Sequence, residues 1–182
     1  MKIHLKNIIG HFTTITKHRH TVIRHSAKAG ILRLGLMHDL SKYSFTEFWQ
    51  GVRHYEGTRS PNEGERREKG YSEAWLHHKG RNRHHFEYWT DYNPIEKCVQ
   101  PVKMPIKYVA EMFCDRVAAS KIYQGKNYTP DYPLEYFKRG KANRAMHKET
   151  SDLIEKWLTM LSEKGEDATF RYIRECLKKE DY

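Results

Sequence analysis

No stretch of the chain approaches the roughly 18 consecutive apolar residues that a membrane-spanning helix needs. The first ten residues carry Lys2, His4, Lys6 and Asn7 where a secretion signal would need an unbroken apolar segment. Both absences predict a cytoplasmic protein with no membrane partner. Cysteine is also scarce. Cys98, Cys114 and Cys176 are odd in number and contain no CxxC pair, which argues against a disulfide framework and a thiolate zinc site, so they read as reduced packing residues. The sequence has no internal repeat, no convincing strand and no recognised nucleic-acid-binding motif.

What it does have is material for a core. Hydrophobic residues are 38% of the chain and aromatics 13%, enough to exclude a disordered tract, and 182 residues suit one domain. The formal charge of +10 sets the sign of a partner: an anion, either a phosphorylated metabolite or nucleic acid. Twelve histidines are the compositional outlier.

Helical spacing of Leu5, Ile8, Ile9, Phe12, Ile15 and Val22, with Gly30 as a stop, predicts a long first helix over residues 5–29. Residues 31–40 form a short apolar segment. Ser44 with Glu47 reads as a capping box ahead of Phe45, Phe48, Trp49, Val52 and Tyr55. Residues 57–70 lack apolar side chains and read as an exposed loop. Helical character resumes over 71–89 with an interruption at Gly80, and residues 91–94 read as a turn. Pro105 can start a helix over 106–123, apolar on several faces and therefore central, with Asp115 in its middle. Residues 125–140 read as turn-rich, and two amphipathic helices close the chain, the second after an Asp167 cap. The expectation is an all-α, single-domain bundle over residues 1–182.

His38 and Asp39 are adjacent at the end of an apolar segment, where two titratable groups are costly to bury unpaired and a divalent cation satisfies both. A solvated helix end with a His–Asp hydrogen bond would explain the pair alone, so its company decides. Residues 75–85 (WLHHKGRNRHH) hold four histidines and three cations, which repel one another unless something negative or metallic organises them. On one unbroken helix His77 and His84, or His78 and His85, would stand about 10.5 Å apart, too far to share an ion. A break at Gly80-Arg81-Asn82 would let one histidine from each pair converge. Asp115 reads as a third ligand or as an ion pair with Arg116. His4, His11, His18 and His25 recur every seven residues on one helix face, and the same axial spacing admits at most one of them to a given site.

A histidine on a first helix, then His-Asp, then further histidines, then an aspartate on a late helix resembles the HD superfamily of metal-dependent phosphohydrolases. His18, His38, Asp39, the His77–His85 cluster and Asp115 follow that order. The string HDLSK at 38–42 is similar to the HDIGK string of the HD-GYP branch. Ser41 stands where that branch has glycine, and no Gly-Tyr-Pro string follows. Over most of its length the chain looks closer to small bacterial and phage proteins sharing the HDLSK and HHKGRN strings.

The resemblance implies an HD-like helical bundle and one or two divalent ions, Mn, Fe, Co, Mg or Zn. The ligands would be drawn from His18, His38, Asp39, His78, His84, His85 and Asp115, with His77 a further candidate and His11 or His25 able to replace His18. Asp39 would bridge two ions. Paired cations lower the pKa of a water and stabilise the attacking and leaving oxygens of a phosphoester. Asp39 and Lys42 are the catalytic candidates; Lys42, Lys79, Arg81 and Arg83 could bind the phosphate of a small substrate, a nucleotide among the options. Two readings compete: a di-iron oxygenase with the same ligands, and a non-catalytic nucleic-acid-binding protein using the cations and aromatics of Arg83–Trp89.

Overall fold

The structure, a computed structural model, describes residues 3–141 and 144–179. Its elements run α1 (Leu5–Ala29), α2 (Leu32–Met37), α3 (Phe45–Arg53), α4 (Pro61–Lys69), α5 (Glu73–Lys79), β1 (Thr90–Asn93), β2 (Cys98–Pro101), α6 (Ile106–Gln124), α7 (Tyr132–Arg139) and α8 (Lys148–Lys179). The fold is mostly α. No helix among the described residues is long and apolar enough to cross a membrane.

α6 is the central rod. Val109, Ala110, Met112, Phe113, Cys114, Val117 and Ala118 are all buried, so the helix is covered on several sides, as its all-round apolar surface predicts. Around it lie Val22 and Ala29 of α1, Phe137 of α7, and Trp157, Leu158, Leu161, Phe170 and Ile173 of α8. α1 ends on Gly30 in the left-handed conformation (φ 84°), with Ile31 N–H donating to the Ser26 carbonyl at 2.9 Å. That turn folds α2 back onto α1. The contact is close enough that a Cβ on Gly35 would stand 2.5 Å from Ser26 Cβ. α3 presses on α1 in the same way, a Cβ on Gly51 meeting the His11 ring at 2.2 Å. These close approaches fix the segment between α2 and α3, which carries His38, Asp39 and Lys42, against α1.

The structure differs from the sequence reading in five places. Helix does not run on to residue 89, since α5 ends at Lys79 and only a 3-10 turn, Phe86–Tyr88, follows. Residues 125–140 are not all turn, because α7 occupies Tyr132–Arg139 with Pro133 in its first turn. Residues 57–70 are not all loop, because α4 occupies most of them. Pro61 sits in its first turn, Gly70 closes it in the left-handed region (φ 81°), and buried Glu65 ties it down by accepting from Ser72 Oγ at 2.7 Å and Ala74 N–H at 3.3 Å. Residues 90–101 form an antiparallel hairpin pairing Thr90 with Pro101 and Asn93 with Cys98, so the expected turn at 91–94 is mostly strand. Its strands are four residues long and largely exposed, so no alternation marks them. The two closing helices form one run broken only at Gly165 (φ 74°, ψ 178°), and Asp167, expected as a cap, meets Lys28 Nζ at 3.1 Å.

Candidate metal centre

Four segments converge beside α6. α1 supplies His18, and the end of α2 supplies His38 and Asp39. The end of α5 and the turn after it supply His78, His84 and His85. α6 supplies Asp115. Asp39 adopts the left-handed region (φ 55°), uncommon outside glycine but tolerated by Asp, and this twist lets consecutive residues His38 and Asp39 both face inward. After α5 the chain breaks at Gly80–Asn82, as the histidine spacing requires. Asn82 pins the turn, donating from its side chain to the His78 carbonyl at 2.8 Å and to Ser41 Oγ at 2.9 Å.

Asp39 lies at the centre. His38 Nε2 is 3.2 Å and His18 Nε2 3.6 Å from Asp39 Oδ2, while His78 Nε2 is 3.2 Å and His84 Nε2 3.5 Å from Oδ1. Asp115 Oδ1 stands 3.0 Å from His18 Nε2 and 3.7 Å from His38 Nε2. Two four-residue groups result: His18, His38, Asp39 and Asp115, and Asp39, His78, His84 and His85. In each, the potential ligand atoms lie within 4.8 Å of one another.

The outer nitrogens are anchored. Glu111 Oε1 accepts from His38 Nδ1 at 3.0 Å and faces His84 Nδ1 at 3.3 Å. Glu47 accepts from His78 Nδ1 at 2.7 Å and from His77 Nδ1 at 2.6 Å. A neutral imidazole that donates from Nδ1 presents a lone pair at Nε2. In the neutral form those lone pairs would meet carboxylate oxygens, acceptor against acceptor, so either protons or a cation must lie between them. Accordingly, His18 Nε2, His38 Nε2, His84 Nε2, His85 Nε2 and both Asp39 oxygens are buried without an aligned hydrogen bond. Lys42 Nζ approaches Asp39 Oδ2 to 2.6 Å, but it is one cation among several acceptors.

The charges respond to this crowding. Burial opposes the ionised form of Asp39, yet His38, Lys42 and His78 hold its carboxyl well below the usual range. Burial likewise opposes ionisation of Asp115, and His18 and His38 hold it low. Burial disfavours the His38 cation, but Asp39 and Asp115 outweigh it and push the imidazole up. His85 goes the other way, held well below its ordinary value by burial and by His84 and His78. Burial and His38 also lower His84. A cluster of carboxylates and imidazoles with opposed protonation preferences has the character of a cation site.

The other candidates divide. Of the three α1 histidines that could be the first ligand, His18 belongs to a ligand group. His11 packs its ring against Phe48 and Tyr55, and His25 lies farther along α1 against Phe170. His77 turns to Glu47. A cavity of about 400 Å³ opens onto the centre and is lined by His18, Lys42, His78, His85 and Asp115. Lys42 therefore faces it, whereas Lys79, Arg81 and Arg83 are not among its lining residues. Arg81 bonds back to the His77 carbonyl at 3.2 Å, and Arg83 donates to Tyr108 Oη at 3.2 Å with its guanidinium over Tyr88 and Tyr108. The break that turns His84 and His85 inward leaves Arg81 and Arg83 exposed, while Lys79, at the end of α5, is half-buried. Asp115 does not pair with Arg116.

Glu47 and Glu111 escaped the sequence reading as supports of the site. Glu47 was legible only as a cap partner, and it does donate its N–H to Ser44 Oγ at 3.4 Å, but its carboxylate serves the histidines. Glu111 carried one signal: an acidic residue one helical turn before Asp115 on a buried helix.

A family model matches residues 7–160, most of the chain. The chain belongs to the DUF5662 family, a family of unknown function. No curated protein matches it, and no solved structure does. The matched span contains every residue of both ligand groups, together with Glu47 and Glu111.

Proposed function

We propose that this chain is a metal-dependent phosphohydrolase of the HD type, holding one or two divalent cations and cleaving a small phosphomonoester or phosphodiester. The observation that carries the reading is the set of buried polar atoms around Asp39 that lack an aligned hydrogen bond although ion-pair contacts surround them: four imidazole Nε2 atoms and both Asp39 oxygens. An unpaired buried polar atom costs about 1–3 kcal/mol, and a cation ligated by these atoms removes several such penalties together. Mixed nitrogen and carboxylate donors suit Mn, Fe, Co or Zn, and Mg through the carboxylates. The order of these residues along the chain resembles that of the HD superfamily.

When bound, such cations supply Lewis acidity that lowers the pKa of a water to near 7 and stabilises charge developing on a phosphoester oxygen. The chain's own residues do the rest. Glu111 and Glu47 hold His38, His84 and His78 with Nε2 inward. Asp39 belongs to both groups and would be the bridge. Lys42, already beside Asp39 and lining the cavity, offers a point charge to the substrate phosphate. Trp75, Tyr55 and Tyr123 line the cavity beside them.

Elemental analysis of the full chain purified without an affinity tag should find bound transition metal. With Mn²⁺, Co²⁺, Fe²⁺ or Mg²⁺ the protein should hydrolyse phosphoesters from a panel of nucleotides and aryl phosphates, and a chelator should abolish turnover. Asp39→Ala should remove activity while leaving far-UV circular dichroism near the parent's. Absence of metal-dependent turnover across the panel, or an Asp39→Ala variant as fast as the parent, ends the reading. Bound iron with visible absorption and oxygen uptake would point to the oxygenase.

A further inference from the structure

One charged side chain in the cavity wall has no partner that explains it. Arg116 follows Asp115 on α6, about 100° further round the helix, and lines the same cavity. Its Nε is buried without a hydrogen bond. Its terminal nitrogen reaches only Met112 Sδ, at 3.9 Å, and its guanidinium sits over the Phe137 ring at 5.5 Å. No carboxylate lies within 4.0 Å of it among the described residues. Its helix neighbour Asp115 turns instead to His18, and Glu87, another lining residue, keeps its Oε2 without a partner. Arg144 places a second guanidinium over the same Phe137 ring, at 4.7 Å.

An unpaired guanidinium in a mostly covered site carries a desolvation penalty that a carboxylate would ordinarily relieve. A solvated surface arginine needs no such account, but this one is turned inward. We infer that Arg116 receives a second anionic group of the substrate, a carboxylate or a second phosphate, while the phosphoester to be cleaved lies at the Asp39 centre. The inference rests on the phosphohydrolase reading for the first group and narrows the substrate to a bis-anionic small phosphoester. The planar fork of Arg matches either second group bidentately. A cavity of about 400 Å³ suits a molecule of that size.

The test uses the metal-loaded full chain and matched ligands differing only at the second group: 4-carboxyphenyl phosphate, 1,4-phenylene bisphosphate and neutral 4-carbamoylphenyl phosphate. The parent should favour the two bis-anionic esters over the amide. Arg116→Gln should raise their KM by roughly ten- to hundredfold, the value of one charge-assisted pair. It should leave kcat and the amide kinetics unchanged, and Arg116→Lys should fall between. Which of the two bis-anionic esters loses more identifies the second group. Calorimetric binding of 4-carboxybenzylphosphonate and its amide, with and without metal, reads the same contact without turnover. Discrimination in binding but no hydrolysis of any ester retains the Arg116 site and removes the hydrolase reading. Equal binding of acid and amide by the parent, or an Arg116→Gln variant that weakens both alike, overturns the inference. Unchanged thermal unfolding of Arg116→Gln guards against a folding defect; a lower midpoint accompanied by loss on the amide marks a structural arginine and also overturns it.

Discussion

Asp39 bears two loads, a central carboxylate and a left-handed backbone, and substitution separates them. Ala disfavours the left-handed region by roughly 1–2 kcal/mol, whereas Gly and Asn enter it readily. With chelator present, urea unfolding should find Asp39→Ala less stable than Asp39→Gly and Asp39→Asn by about 1 kcal/mol, since all three lose the same charge. Equal stability of Ala and Gly would mean that the twist carries no strain. His25 gives a pH dependence away from the centre. Its Nε2 faces Lys121 Nζ at 3.2 Å, and an ammonium only donates, so Nε2 accepts and Nδ1–H donates to the Cys114 carbonyl at 3.3 Å. This neutral form fits the surroundings: burial first, then Lys121 and Lys28, lower its pKa to about 4, against the opposing Cys114 carbonyl and Glu166. The unfolded chain, with an ordinary value of 6.5, binds the proton first as pH falls. The stabilisation is thus complete above about pH 6.5 and fades toward pH 4, by on the order of 3 kcal/mol at most. Stability of His25→Gln in chelator, measured from pH 7 to pH 4, should fall less steeply than the parent's; parallel curves would refute the assignment. His38, Asp39 and Asp115 were legible because titratable residues stand out in apolar segments, whereas His18 shared its helix face with His11 and His25 and could not be told from them. Glu111 stands out less, and its role depends on imidazoles that only folding brings near.

At the scale of elements, α3 and α6 do more than pack. Each presents a glutamate to the outer nitrogens of histidines carried by other segments, fixing which nitrogen faces Asp39. Loss of such carboxylate–histidine support typically weakens metal affinity about 10- to 100-fold. Glu47→Gln and Glu111→Gln should each lower affinity by that factor in competition with a chromogenic chelator, with helical content unchanged. Parent-like affinity would show that the imidazoles hold their orientation without help. Long amphipathic elements were readable: α1 and α6 begin and end close to where hydrophobic spacing and the Gly30 and Pro105 signals put them. α4 was not, because its seat on the fold is one buried carboxylate, Glu65, rather than an apolar stripe. The turn at Gly80–Asn82 was foreseeable from distance alone, since no straight helix lets His78 and His85 meet. Which way it would aim Lys79, Arg81 and Arg83 was not.

For the whole molecule, the two ligand groups tie together segments from residue 18 to residue 115. An ion that binds only this folded arrangement stabilises it by mass action, by about 2.7 kcal/mol at a hundredfold excess over Kd. For a chain of this size that raises Tm by roughly 5–10 °C. Thermal unfolding with each of Mn²⁺, Fe²⁺, Co²⁺, Zn²⁺ and Mg²⁺, against chelator, should show the shift for at least one of them and lose it in Asp39→Ala. No shift with any metal would count against a cation site. The dispersed origin of the ligands also has a kinetic meaning. Asp39 meets His18, His84 and Asp115 only after four separate segments have docked, so the full cluster is expected to form late in folding. Interactions absent from the transition state leave the refolding rate alone and slow the escape from the native basin. A bound ion should therefore act as a latch on unfolding, lengthening the lifetime of the folded chain in stopped-flow experiments while the rate at which the chain first collapses and folds stays the same.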